Sequence, residues 1–298
     1  FKRGVEDFHF KELLRKPNVK FKKIDLLNVN TIKKIGTEFH YIFQFAAIIG
    51  VKHVIKSPYE VLLNNCLIQD IAIQIGKKQK NLKAFVFTST SEVYAGTLKY
   101  FKKKFPTPEN LNLTLSDIYH PRSSYMSSKI YGELMAIHSG LPYIIFRPHN
   151  VYGSRMGLSH VVPELLSRIK NIENTNSLDI YSSDHKRAFC FVSDAIEMMK
   201  RISFNKKSIN KIFNIGNNSE EVSIKKLTKI LLEISNSKNV RLKEIKSDVG
   251  SPSRRLPDMK KTYRMAKFKP QVSLFEGCKL THDWYLNNIF NKKNLSAR

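Results

Sequence analysis

Tyr125 and Lys129 are the two side chains whose types and spacing could do proton chemistry together. They sit in Ser123-Ser124-Tyr125-Met126-Ser127-Ser128-Lys129, so on a helix one phenol and one ammonium share a face. A free phenol titrates near ~10 and a useful general base near ~7. Closing that gap takes about 4 kcal/mol of preference for the phenolate, which an adjacent cation can supply. Such a pair by itself is ordinary on a solvated helix face, so its meaning depends on what surrounds it.

Other candidates fall where strands are expected to end. Thr90 follows the apolar run 84–88, and the carboxyl ends of parallel strands face the ligand crevice. Its hydroxyl could hydrogen-bond an oxygen that Tyr125 deprotonates. Glu92, close behind it, offers a carboxylate that could remove an acidified C–H proton. Asn150 follows Arg147-Pro148-His149 at another strand end. His149 itself reads as packed and hydrogen-bonded rather than as an acid or base. Arg187 and Arg255 carry guanidinium forks suited to phosphate, against the bland alternative of surface ion pairs.

The elements that must position these groups alternate between strand and helix. Strands are expected at 19–24, 41–47, 84–88 and 142–147, and helices at 10–15, 29–35, 59–75 and 123–138, the last ended by Gly140. The runs at 41–47, 84–88 and 142–147 are continuously apolar, the mark of strands buried on both faces. Residues 95–122 read as loop. The alternation predicts an α/β fold with a doubly wound parallel sheet. Beyond Tyr152 the pattern loosens. Helices are expected at 161–169, 193–202 (Asp194 in the first turn), 223–235 (Ser223 as N-cap) and in the tail 272–288, where Trp284 is read as packing. Short strands are expected at 178–181, 188–192 and 212–215, and a rigid basic loop at 251–258.

A chain of 298 residues can bury a sizeable core, and 42% hydrophobic with 11% aromatic residues is globular rather than disordered composition. No apolar run approaches the ~20 residues of a membrane span, and no signal-peptide pattern opens the chain. Cys66, Cys190 and Cys278 are far apart and lack metal-ligand spacing, so no metal is expected and all three read as buried thiols in a reducing compartment. The net charge of +26 comes from lysines scattered along the whole chain. Without an aromatic-interleaved platform or a recognition helix it does not predict a nucleic-acid partner. Clusters such as Lys77-Lys78-Gln79-Lys80 and Lys102-Lys103-Lys104 read as solvated turns and helix ends.

Five segments together resemble the extended short-chain dehydrogenase/reductase family of NAD-dependent sugar-nucleotide epimerases and dehydratases. They are residues 85–94 (FVFTSTSEVY), 123–129 (SSYMSSK), 146–153 (FRPHNVYG), 187–194 (RAFCFVSD) and 250–258 (GSPSRRLPD). The resemblance implies a Rossmann domain for NAD over 1–154 with 187–216 returning to it. It also implies a smaller domain for a nucleotide-diphosphate sugar over 155–186 and 217–298, a homodimer, and a cytoplasmic enzyme of surface-polysaccharide precursor synthesis. It assigns Thr90, Glu92, Tyr125 and Lys129 to catalysis. It assigns Asp25, Leu26, Ala46, Ala47, Asn65, Thr88 and Pro148, with Tyr125 and Lys129, to the cofactor side, and Thr90, Asn150, Arg187 and Arg255 to the substrate. Gln44 stands where many relatives have histidine. Thr90-Ser91-Glu92 leans toward 4,6-dehydratases and glucuronate-type decarboxylases, since simple C4 epimerases carry small residues there. Epimerisation stays open.

The family begins with a strand, a Gly-x-x-Gly-x-x-Gly turn, a helix and a second strand. No glycine-rich turn precedes Asp25 here, and Phe1-Lys2-Arg3-Gly4 resembles the family's segment just after that second strand. On this reading an N-terminal segment that cradles the pyrophosphate is absent, and the chain by itself is expected to bind NAD weakly and to be unstable. A non-catalytic remnant or interaction protein that keeps the fold is the competing class.

Overall fold

The apolar runs at 84–88 and 143–148 become adjacent central strands because each has side chains to bury on both faces. The computed structural model describes residues 8–101, 105–115, 117–172, 176–245 and 252–291. In chain order the first half comprises α1 (Phe8–Leu14), α2 (Thr31–Lys34), β1 (Tyr41–Gln44), α3 (Val51–Lys56), α4 (Pro58–Lys77), β2 (Ala84–Thr88), α5 (Ala95–Tyr100), α6 (Arg122–Ile137), β3 (Tyr143–Pro148) and β4 (Val151–Tyr152). The second half comprises α7 (Val161–Lys170), β5 (Ser177–Tyr181), β6 (Lys186–Arg187), β7 (Cys190–Phe191), α8 (Val192–Ser203), β8 (Lys211–Ile215), β9 (Val222–Ser223), α9 (Ile224–Ile234), β10 (Arg241–Ile245), β11 (Arg254–Arg255), α10 (Lys260–Ala266) and α11 (Leu274–Tyr285).

The main sheet is four-stranded, in the order β1-β2-β3-β8, and every pair in it is parallel. Side chains alternate across it as the strand period demands. Phe85, Phe87 and Ile145 pack with Ala72 and Ala136 against α4 and α6. Val86, Ile144, Phe146 and Phe213 pack with Met198 and Ile202 under α8. Gly132 lets α6 lie close on the sheet, since a Cβ there would come within 2.5 Å of the Phe87 ring. A separate core joins α7, α9 and α11 to β5 through Leu166, Ile180, Leu227, Leu231 and Cys278. Ser223 caps α9 as expected, accepting from Lys226 N at 3.1 Å. Ser273 caps α11 in the same way, and Trp284 is half-buried against the Tyr285 ring.

Several expectations are corrected. Residues 41–47 do not form a strand buried on both faces. The strand ends at Gln44, pairs only with β2 among the described residues, and leaves Phe43 42% exposed. Residues 19–24 form no strand, because no described strand offers them a ladder. The helix expected at 29–35 shrinks to the single turn of α2. Residues 95–122 are not all loop: α5 begins the stretch, hidden from a periodicity reading because its buried residues are Ala95, Gly96 and Thr97. A Cβ on Gly96 would sit 1.9 Å from the Thr114 carbonyl oxygen, so only glycine permits this packing. The strand at 188–192 contracts to β7, and the loop at 251–258 contributes β11, paired in parallel with β6. Cys66 is half-buried rather than buried. Lys77, Lys78 and Lys80 are exposed at a helix end, whereas Lys102, Lys103, Lys104, Gly250 and Ser251 lie outside the described residues.

Beneath the sheet's carboxyl end lies a buried ion pair. Arg147 donates through Nε and Nη2 to the two Glu133 oxygens at 2.8 and 2.6 Å, and through Nη1 to Tyr94 Oη at 2.7 Å and the Glu109 carbonyl at 2.9 Å. Burial disfavours the Arg147 charge, but the bonds to Glu133 and Tyr94 outweigh it and push the guanidinium above its ordinary value. Glu133→Ala leaves that cation buried without its carboxylate. The expected loss is about 3–5 kcal/mol, measured by urea unfolding, with Arg147→Ala costing a similar amount.

Candidate active site

Three strand ends and one helix build the site. At the end of β2, Thr90 Oγ1 accepts from Glu92 N at 3.2 Å and caps a 3-10 turn, Ser91–Tyr94. That turn swings Glu92 across the sheet end. At the end of β3, Asn150 adopts a left-handed φ of 42° and donates to the Ala188 carbonyl at 3.1 Å, so it joins β3 to the segment leading into β7. α6 carries Tyr125 and Lys129 above β2. Thr90, Glu92, Pro148, Asn150, Phe189 and Arg255 line a crevice of about 300 Å³.

The nearby Thr90 hydroxyl, whose oxygen accepts from Glu92 N, favours the Tyr125 phenolate. Burial and then the Glu92 charge act the other way, and Tyr125 is pushed up to about 12. Lys129 Nζ donates to the Thr88 carbonyl at 2.8 Å and lies 6.0 Å from the Tyr125 ring centroid. Burial pushes Lys129 down to about 8, against the pull of Glu133. The spacing therefore delivers both groups to one place. It does not by itself give the phenolate preference that the sequence suggested, because desolvation outweighs the cation.

Glu92 is held by two guanidinium groups, Arg255 Nη2 at 2.9 Å and Arg122 Nη2 at 3.3 and 3.4 Å. Burial alone would raise its carboxyl, but Arg255 and Arg122 hold it below the ordinary value. Arg187 is buried beside this cluster rather than lining the crevice. It donates to the carbonyls of Lys186, Pro252 and Ser253 at 2.8–3.0 Å, which ties β6 to the loop before Arg255. Burial and then Arg255 push it down to about 9. His149 is buried with Nε2 3.0 Å from Asn214 Oδ1, and burial pushes it down to about 3, so it packs as a neutral ring.

The residues expected on the cofactor side divide into two groups. Thr88 and Pro148 lie at the sheet end with Tyr125 and Lys129. Asn65, on α4, accepts from Ile48 N at 2.7 Å and donates to Ser128 Oγ at 3.2 Å, so it fixes the loop holding Ala46 and Ala47 against α6. Gln44 braces the same loop by accepting from Ala46 N at 2.9 Å. Asp25 and Leu26 lie apart in a turn closed by Asp25 Oδ1 accepting from Leu27 N. Arg122 was missed by the sequence reading. Its only signal there is its position just before Ser123 in the Tyr125 helix, which does not reveal that it meets Glu92.

A Rossmann-type sheet with a Tyr–Lys helix against a Thr-Ser-Glu turn defines a class, and the comparisons agree. The sequence model described as "NAD dependent epimerase/dehydratase family" matches residues 2–216, and the chain belongs to that family. A UDP-N-acetyl-alpha-D-glucosaminuronate decarboxylase of Bacillus cytotoxicus is 27% identical over 96% of this chain and 88% of its own. A dTDP-glucose 4,6-dehydratase of Haemophilus influenzae is 25% identical over 93% and 86%. The structure of UDP-glucuronic acid 4-epimerase from Bacillus cereus, solved with UDP-glucuronic acid and NAD, superposes with a TM-score of 0.77. It is 25% identical and covers 93% of this chain and 84% of that one. The chain's own residues fit the family's cofactor at its reactive end: Thr88 Oγ1 is buried at the strand terminus with no hydrogen-bond partner among the described residues, next to Lys129.

Lys129 gives a direct test of this electrostatic picture. Its folded value of about 8 lies below the ~10.4 of a free lysine, so the ammonium is present below about pH 8 and is lost as pH rises through it. Between those values the unfolded chain binds more protons, so this group's contribution to stability rises with pH there. NMR titration of the lysine side chains should show Lys129 with a midpoint about 8. A midpoint above 10 contradicts the buried placement.

Proposed function

We propose that this protein is an NAD-dependent epimerase or dehydratase acting on a nucleotide-diphosphate sugar. The observation that carries the reading is Thr90 and Glu92 lining a strand-end crevice below the helix of Tyr125 and Lys129, with Lys129 Nζ on the Thr88 carbonyl at 2.8 Å. Bound NAD would supply reversible oxidation at the sugar's C4. Tyr125 takes the proton of the C4 hydroxyl, and Thr90 orients that oxygen through its own hydroxyl. Lys129 and Thr88 hold the cofactor side, joined by Asn65 and the Ala46–Ala47 loop. Asn150 contacts the sugar and Arg255 brings positive charge to the diphosphate, with Arg187 seating it from behind rather than touching the ligand as the resemblance implied. In this reading residues 1–154 and 187–216 hold the cofactor, and the remainder shapes the sugar-nucleotide site. The protein acts in the cytoplasm, where its three free thiols stay reduced. No described helix is long and apolar enough to cross a membrane. It works as a homodimer, a reading supported by the outward apolar face of α4 and α6, where Tyr59 is 70% and Tyr131 56% exposed.

Once C4 is oxidised, three outcomes are open: return of hydrogen to the other face, 4,6-elimination with Glu92 as the C5 base, or loss of a C6 carboxylate as CO₂. The double arginine clamp on Glu92 weakens it as a base. This favours outcomes that need no carboxylate base, so decarboxylation of a uronic sugar nucleotide is the second reading. Mass spectrometry of products from UDP- and dTDP-linked neutral and uronic sugars separates the three. Tyr125→Phe should cut turnover by at least ~100-fold with any of them. Turnover within a factor of two of the parent removes Tyr125 from the chemistry. Glu92→Gln should block product only if elimination is the reaction.

A further inference from the structure

We propose that Arg122 is a positioning residue for this site: it shares the Glu92 carboxylate with Arg255 and so fixes where that negative charge sits relative to Tyr125. The two cations reach Glu92 from different parts of the fold. Arg255 comes from β11, at 2.9 Å. Arg122 comes from the first turn of α6, the helix that also carries Tyr125, and approaches both carboxylate oxygens at 3.3 and 3.4 Å. The carboxylate is thereby tied to the Tyr125 helix on one side and to the arginine strand on the other. Neither tie is a solvated surface pair: the Arg122, Glu92 and Arg255 side chains are 19%, 22% and 11% exposed.

The charge matters because Tyr125 feels it. Glu92 is the nearby anion that disfavours the phenolate, so its distance from Tyr125 sets part of the barrier to deprotonation. Other charged groups face the carboxylate too. Arg187 stands behind Arg255 from β6. A small cavity of about 30 Å³ also touches the carboxylate, lined by Glu92, Arg122, Lys99 of α5, Asp117 and His120 of the turn leading into α6, and the apolar Ala95 and Met126. His120 Nδ1 accepts from Arg122 N at 3.2 Å, so its other nitrogen carries the hydrogen when the ring is neutral. Removing Arg122 takes away one of the two contacting cations while burial stays. Glu92 then protonates at higher pH and is free to leave Arg255.

The test is a carboxyl titration of the full chain labelled with ¹³C-glutamate, with Glu92→Gln identifying the Glu92 signal. The parent should titrate below ~4.3, Arg122→Ala should move the midpoint up by about one unit or more, and Arg122→Lys should return most of that shift. The same Glu92 midpoint in parent and Arg122→Ala overturns the proposal, because Arg255 would then hold the carboxylate alone. A second arm rests on the function proposed above and holds where Glu92 is the C5 base of elimination: the acid limb of kcat/KM should move up with the carboxyl midpoint, with kcat above that limb changing less. A shifted titration without turnover of any sugar nucleotide upholds the role of Arg122 and counts against the function. Turnover with an unmoved titration does the reverse.

Discussion

Much of this molecule depends on a single buried cation. Arg147 sits on β3, a strand with side chains on both faces in the core, and its guanidinium must find acceptors there. It finds Glu133 on α6, Tyr94 at the end of the 3-10 turn, and the carbonyl of Glu109 in the loop beyond α5. Glu133 also accepts from Ser89, just before Thr90, and Tyr94 Oη passes the chain of bonds to Asn214 on β8. Asn214 in turn reaches Thr107, Asp258 and His149. A charge in a low-dielectric interior tolerates no loose partner. Satisfying this one sets the height of α6 over the sheet, and with it the placement of Tyr125 and Lys129 against Thr90.

Directly above that network the charges are ordered rather than merely present. Lys129 lies deepest, on the Thr88 carbonyl. Tyr125 and Thr90 come next. Glu92 follows, pinned between Arg122 and Arg255, with Arg187 buried behind Arg255. The same order explains why Tyr125 is held so strongly protonated: it is buried and faces an anion, and the nearest lysine spends its proton on a backbone carbonyl.

The sequence made the central strands, α4, α6, α8 and α9 legible because their burial has a period: continuous in β2 and β3, helical in the amphipathic segments. It made Thr90, Tyr125 and Asn150 legible because each closes or overlies such an element. It failed where burial has no period. Residues 19–24 alternate like a strand, yet an alternating run becomes one only when a neighbour offers a ladder. α5 buries small residues, which carry no apolar signal. Arg122 and Glu92 lie thirty positions apart, and nothing local marks them as partners. Arg187 looked like a free phosphate fork, but its donors are spent on the backbone of residues 186, 252 and 253. Its service is to seat the neighbouring arginine.

The pairing of β11 with β6 has a consequence for the order in which the protein comes into being. Arg255 reaches Glu92 only after the two-residue strand at 254–255 has docked on the one at 186–187. Everything else around Tyr125 is synthesised and can be packed well before that. During translation the nascent chain therefore has a sheet, a helix and a phenol in place while the outer wall of the crevice is still unmade. Long-range closures of this kind are slow steps in folding. This one means the pocket gains its full charge only after residues 254–255 have been made and docked on β6.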